Sequence, residues 1–338
     1  MAGTNPFAAW RHRVRGLMRF VAVCGLAAAA TAGAFSARAE EANLPELIRI
    51  VVPFPPGGSN DIAARVVAEQ LAGRIGRNVI VENRPGASGL LGARVVATGP
   101  RDGSMLLCTS SSLVTAAATK KSVPIDILKD LAPVSLLSES PLVIIVSADS
   151  KIRTPADLVN EARAHPDTIT NGTPGPGTIA HLTGELLNEM AKAKLKHIPY
   201  TGGGPALLDL VAGRVDINIV SNSTSAGLGS QGKVRQIAIT FAEPTAEFPG
   251  IPTMASVVPG FEVPQWNGIW APQGTPPEVI NRLNREINEI VKTPKFAVVL
   301  NNDGGKPLSL TPAESAERVK KSYQMWKSLA EARNLIAD

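Results

Sequence analysis

The sequence predicts an α/β protein of two lobes, each with a central β-sheet flanked by helices. Three observations lead there. Short β-branched runs alternate with segments of helical periodicity over most of the chain. The chain beyond residue 39 is roughly 300 residues long, enough for two separate cores. Most strands end in loops dense in Gly, Ser and Thr that open helices.

Ile48–Val52 is the first strand, and the Pro-Gly stretch Pro53–Gly58 ends it. Ile62, Val66, Val67, Leu71 and Ile75 then share one helix face. Val79–Glu82 is the second strand, followed by the turn Arg84–Gly89. Met105–Thr109 is the third, ending in Ser110-Ser111-Ser112. Leu142–Val146 is apolar enough for a buried strand. Thr154 followed by Pro155 and Asp157 signals a helix start. Thr168–Asn171 reads as a strand, and the next helix places Ile179, Leu182, Leu186, Leu187 and Met190 on one side. Leu195–Tyr200, Asp216–Val220 and Val234–Thr240 are further strands. Beyond Pro264–Asn267 the sequence predicts long amphipathic helices, one carrying Ile280, Leu283, Ile287 and Ile290.

The N-terminus reads as an address. Residues 1–39 hold no acid, and Arg11, Arg13, Arg15 and Arg19 precede an apolar run from Phe20 to Phe35. That run is too short to span a bilayer and ends at Ala37-Arg38-Ala39, a small-residue cleavage pattern. The expectation is a signal peptide over 1–39, cut before Glu40, and a periplasmic product. The arginines are not adjacent, which argues against a twin-arginine signal, and Val23 before Cys24 argues against a lipoprotein site.

Removing that segment changes the charge. The whole chain has 34 basic and 29 acidic residues, a net +5, and five arginines leave with the signal. The balanced remainder argues against nucleic acid and anionic membrane as partners. Cys108 is then the sole cysteine, so no internal disulfide forms.

The loops carry the chemistry. Gly57–Asp61, Gly86–Gly89, Ser110–Ser112, Thr173–Thr178 and Thr201–Gly204 each follow a strand and open a helix. A helix start exposes unpaired N–H groups with partial positive charge, and Gly and Ser/Thr let an anion reach them. Any one such loop is adequately explained as a turn and cap; five at like strand ends predict a shared ligand cleft. Gly175–Ala180 fits a dinucleotide pattern, but no acid ends the next strand, Lys196–Tyr200, and Pro176 removes a donor. A carboxylate suits that loop better, and no cofactor is expected. Mature histidines His165, His181 and His197 have no metal-ligand spacing, and no nucleophile elbow is present. Asp61 at a helix start suits either the macrodipole or a ligand amine. Trp266 and Trp270 are expected in the core.

These motifs carry a resemblance. Pro53-Phe54-Pro55-Pro56-Gly57-Gly58-Ser59-Asn60-Asp61, Glu82–Gly89, Gly172–Leu182, Ile198–Gly202, Ala212–Asp216 and Trp266–Gly268 with Ala271–Pro276 resemble, in order, stretches of the Bug-type receptors of tripartite tricarboxylate transporters. The resemblance runs from about Leu47 to the C-terminus. It implies a periplasmic-binding-protein fold (type II, Venus-flytrap), no catalysis, and capture of a small carboxylate by backbone amides and hydroxyls rather than arginine. Crossovers are expected near Leu142–Val146 and Phe261–Trp266, giving lobe 1 as 40–143 and 263–338 and lobe 2 as 144–262. The implied ligand-binding set is Phe54, Gly58, Ser59, Asn60, Asp61, Ser88 and Ser110 from lobe 1, with Thr173, Gly177, Thr178, His181, Tyr200, Gly202, Asn218 and Asn222 from lobe 2. One stretch departs: Ile217–Thr224 is more polar than the family's usual apolar segment. The implied product is a monomer serving a membrane transporter. The alternatives are a sensor subunit and, from another class, an exported hydrolase or isomerase using Asp61 or His181.

Overall fold

The computed structural model describes residues 43–336; the expected signal peptide and its cleavage site lie outside them. In chain order the elements are β1 (Leu47–Val52), α1 (Ser59–Ile75), β2 (Asn78–Asn83), α2 (Leu90–Ala97), β3 (Met105–Ser110), α3 (Ser111–Thr119), β4 (Leu131–Ser147) and α4 (Pro155–Ala164). Then come β5 (Thr170–Thr173), α5 (Ile179–Ala191), β6 (Lys196–Pro199), α6 (Gly203–Val211), β7 (Ile217–Ser221), α7 (Asn222–Ser230) and β8 (Val234–Ile239). The chain closes with β9 (Pro264–Pro272), α8 (Pro277–Ile290), α9 (Ala297–Asp303), β10 (Lys306–Pro307) and α10 (Pro312–Ala332).

Local chemistry fixes the boundaries. Thr154 caps α4 in a reciprocal box with Asp157, and Thr311 does the same for α10 with Glu314. Both helices take proline at their first position, where a missing N–H costs nothing. Gly76, left-handed at φ 65°, ends α1 by donating to Ala72 O.

The strands form two groups joined through β4. In the first, β2, β1 and β3 run parallel, and β9 pairs antiparallel with both β3 and β4. In the second, β6, β5 and β7 run parallel, and β4 pairs antiparallel with β7 and β8. Residues Leu131–Pro141 of β4 face β9, and Leu142–Ser147 face β7 and β8. The last β4–β9 rung joins Pro141 to Pro264. Just beyond it, fully buried Thr240 braces both crossing segments. Its hydroxyl accepts from Leu142 N–H (2.9 Å) and donates to Val263 O (2.6 Å).

The first half of β4 and all of β9 depart from the sequence reading. Four prolines (Pro133, Pro141, Pro264, Pro272) and the polar run Ser138-Glu139-Ser140 hide this pair from a strand pattern. Buried Glu139 is admitted because Lys306 (3.0 Å) and Arg318 pair with it. Trp266 and Trp270 are both buried, with ring centroids 5.6 Å apart. The apolar core runs from Val51, Leu90 and Leu107 through Leu142 and Ile144 to Leu182 and Ile219. A second cluster, with Val143, Ile145, Leu210 and Phe248, fills the far face of the second strand group.

Candidate functional site

Six parallel strands, β1, β2, β3, β5, β6 and β7, each deliver the chain through a loop into a helix. A cavity of about 280 Å³ collects residues at five of these helix starts. Ser88 stands just before α2, Ser112 in the first turn of α3, and Pro176–Ala180 at the start of α5. Gly203 opens α6, and Ser221 and Thr224 open α7. Leu142 and Gln265, beside the Pro141–Pro264 rung, also line it. The start of α6 has no side-chain cap, which leaves first-turn N–H groups for a ligand, whereas at α7 the Ser223 N–H donates to Asp303 (3.0 Å) and at α2 the Leu90 N–H donates to Ala87 O.

Helix α3 gives the cavity one full face. Ser112, Thr115, Ala116, Thr119 and Lys120 all line it, a spacing that stacks them along one side of a helix. The Thr115 and Thr119 hydroxyls donate to carbonyls one turn back, Ser112 O (3.0 Å) and Thr115 O (2.9 Å). Lys120 follows the last turn of α3, and no acidic residue lines the cavity among the described residues. The charge balance there is set by one ammonium and several helix starts, which favours an anion.

The loop Thr173–Thr178 is braced internally. Thr178 caps α5 by accepting from His181 N–H (3.4 Å) while donating to Gly175 O (2.7 Å). Thr173 Oγ1 accepts from Gly175 N–H (3.3 Å) and lies 2.6 Å from His197 Nε2. His181 Nδ1 accepts from Gly177 N–H (3.1 Å). On the opposite wall Ala87 and Ser88 adopt left-handed conformations at φ 48° and 56°. For residues with a Cβ that is local strain, of the kind concentrated at binding sites.

Of the residues expected from sequence, Ser88, Gly177 and Thr178 line the cavity. Thr173, His181 and Gly202 stand directly behind lining segments. The others lie off it. Asp61 is buried and accepts from Gly57 N–H, Arg65 Nε and Asn83 Nδ2, each at 2.9 Å. Its carboxyl is pushed up by burial, but Arg65, Gly57 and Asn83 pull it below the ordinary value. Those bonds occupy it as a fastener of the β1–α1 loop. Gly58 is the N-cap of α1, and Phe54 sits against Gly89. Ser59 and Asn60 belong to a separate polar knot, with Asn267 Nδ2 donating to Ser59 Oγ (3.5 Å) and Asn60 Nδ2 to Ser110 Oγ (3.4 Å). Ser110 caps α3. The Tyr200 hydroxyl is turned to Asp209 (2.7 Å), and Asn222 Oδ1 accepts from Gln236 (2.8 Å). Asn218 is fully buried against Gly172 instead of lining the cavity.

Sequence reasoning missed Ser112, Thr115, Thr119, Lys120, Ser221, Thr224 and Gln265. The signal was present in α3: hydroxyls at i, i+3 and i+7 between Ala and Leu residues mark a small, polar helix face. A larger hollow of about 640 Å³ lies among Asp149, Lys151, Asp157, Glu161 and Asp216. Two of its acids are already engaged, Asp157 in the α4 cap and Asp216 on Thr170 N–H and hydroxyl. Among the described residues no group of His, Cys, Asp and Glu could hold a metal ion, and no helix is long and apolar enough to cross a membrane.

Two strand groups sharing crossing segments, with a small helix-start cleft beside the crossing, define a two-lobed solute-binding receptor of the periplasmic-binding-protein fold. The chain belongs to the tripartite tricarboxylate transporter receptor family, whose profile matches residues 63–335. Receptors of this family are periplasmic binding proteins, not enzymes. The chain is 34% identical over 310 residues to the protein BugT of Bordetella pertussis, covering 91% of this chain and 93% of that one. It is 37% identical over 309 residues to a Pseudomonas sp. protein from the tcbD-tcbE intergenic region, covering 91% and 92%. Among solved structures, an R. palustris protein with adipate superposes with a TM-score of 0.73 at 30% identity, covering 84% of this chain and 96% of that one. MatC from Rhodopseudomonas palustris with bound malate gives 0.70 at 28%, covering 84% and 98%.

Proposed function

We propose that the protein captures a small carboxylate-bearing metabolite in the cleft between its lobes and presents it to a tripartite tricarboxylate-type transporter. The observation that carries this is the lining itself: five helix starts and one ammonium converge on one cavity with no carboxylate among its lining residues. Its volume of about 280 Å³ falls just below the roughly 300–1,000 Å³ range of ligand pockets, which suits a metabolite of a few carbons. The malate and adipate bound by two similar proteins are ligands of this size and charge.

In this reading residues 1–39 are removed on export, 40–143 with 263–338 form one lobe, and 144–262 form the other. Ser88, Ser112, Gly177, Thr178 and Ser221 hold the carboxylate, with Lys120 beside them. The protein acts as a monomer. Titration calorimetry against a panel of organic acids including malate and adipate tests the reading. Binding by at least one acid, weakened about tenfold or more by Ser112→Ala with Thr178→Ala, is expected from the loss of one hydroxyl contact to a charged group and of the Thr178 brace on the loop. Unchanged affinity in the double variant removes the pocket assignment.

A further inference from the structure

The loop that forms one wall of the cleft is clamped at both ends by a pair of imidazoles. His197 Nε2 holds its start at Thr173 Oγ1 (2.6 Å), and His181 Nδ1 holds its end at Gly177 N–H (3.1 Å). The two rings are stacked, with centroids 3.8 Å apart and planes at 21°. Because Nδ1 of His181 accepts from an N–H, it carries the lone pair. The ring proton of the neutral form is therefore on Nε2, which faces Glu185 Oε1 at 3.9 Å.

We propose that the His181–His197 stack is the positioning element of the Thr173–Thr178 loop, and that placing a proton on His181 Nδ1 unfastens Gly177 and weakens anion binding in the cleft. A charged imidazole has N–H on both nitrogens, so Nδ1–H would oppose Gly177 N–H, donor against donor. Each group facing the ring favours the uncharged state or is already occupied. His197 on β6 lies in stacking contact, where a charge on one ring opposes a charge on the other. Glu185, one turn further along α5, is held by Arg333 from beyond the end of α10 through Nε (3.0 Å) and an amino nitrogen (2.7 Å). Thr173 and Gly177 are neutral. Burial, only partly offset by Glu185, holds His181 below its ordinary 6.5, in the same direction as this geometry. The charge itself would attract an anion. The opposing loss is that of the loop geometry that sets the Thr178 N–H at the start of α5, with Gly177 and Thr178 both lining the cavity.

This inference rests on the cleft being a carboxylate site, and its test separates the two. Malate and adipate binding are measured calorimetrically at about pH 7.5 and about pH 5 for the wild type, His181→Asn and His181→Leu. Asparagine offers Oδ1 as an acceptor in place of Nδ1 and does not titrate. At the higher pH the Asn variant is expected within about threefold of wild type and the Leu variant about tenfold or more weaker, as for a donor left unpaired. On acidification the wild type is expected to lose about fivefold more affinity than the Asn variant, whose own change reports the titration of the ligand. Parallel losses in the two proteins, or a gain in the wild type, overturn the proposal. If neither acid binds the wild type, the measurement uses whichever acid of the panel does; if none does, the carboxylate reading fails, and the fastening is decided by long-range ¹H–¹⁵N spectra of the free protein. The Nε2-protonated tautomer of His181, with a Gly177 amide shift that follows its titration, upholds the fastening. The Nδ1-protonated tautomer, or an indifferent Gly177, rejects it.

Discussion

Gly177 meets Thr119 across the cleft: a Cβ on Gly177 would stand 2.6 Å from Thr119 Oγ1. The glycine also sits at φ 73°, in the left-handed region. Gly177→Ala therefore faces two separate penalties, a clash with α3 and about 1–2 kcal/mol of backbone strain. The expected result is an affinity loss of about tenfold or more with a smaller loss of melting temperature. Adding Thr119→Ala should return the clash component and leave the strain. A double-mutant cycle in which the second change restores nothing would show that the two walls do not meet in the binding-competent state.

Lys120 contributes the single formal charge among the lining residues. Lys120→Met should weaken adipate binding by about tenfold, the size of a charge-assisted hydrogen bond partly exposed to water. It should also flatten the dependence of affinity on ionic strength. An unchanged dissociation constant with an unchanged salt slope would place the ammonium away from the ligand.

Asp61 makes opposite predictions as a fastener and as a ligand contact. Its three hydrogen bonds all go to the protein's own loop and neighbouring side chains. Asp61→Ala should lower stability by about 2–3 kcal/mol, the cost of removing bonds to a buried charge. The affinity of the folded protein for malate should change little. Denaturant unfolding and calorimetry on the same sample measure both, and a preserved midpoint with lost affinity would return Asp61 to the binding site.

The two imidazoles also set a pH window for stability. Burial, reinforced by His181, lowers His197 to about 4, while an unfolded histidine titrates near 6.5. His181 is shifted the same way. Between those values the unfolded chain binds more protons than the folded one, so stability rises with pH across that window. The melting temperature should fall as pH drops from 6.5 towards 4, and His197→Leu should flatten part of that slope. A melting temperature equally steep in the variant would assign the slope to other groups.

The strand–loop–helix alternation was readable because each unit is local. Ile48–Val52, Met105–Thr109 and Val234–Thr240 need no distant partner to look like strands. The pairing of β4 with β9 was not readable. Its polar and proline-containing stretches become a strand only when Lys306 and Arg318 arrive to satisfy Glu139. Ser88, Gly177 and Thr178 were legible as helix-start residues that line the cavity. The hydroxyl face of α3 stands out little in the sequence, because its Ala and Thr residues carry little periodic contrast. Ser59, Asn60 and Asp61 look identical in sequence to residues at a ligand site. In the structure they bond to Asn267, Ser110 and Asn83, partners that the local sequence does not announce.

Where β4 passes from one strand group to the other, the facing residues Pro141 and Pro264 have no amide hydrogen to share. A ladder normally resists flexing because its rungs must be broken; this rung has nothing to break. Thr240 ties both crossing segments just beyond it, through its hydroxyl and also through its own N–H to Leu142 O (3.0 Å) and the Val263 N–H to its carbonyl (2.8 Å). Where the ladder has no amide to share, one threonine thus supplies four hydrogen bonds to the join between the two strand groups.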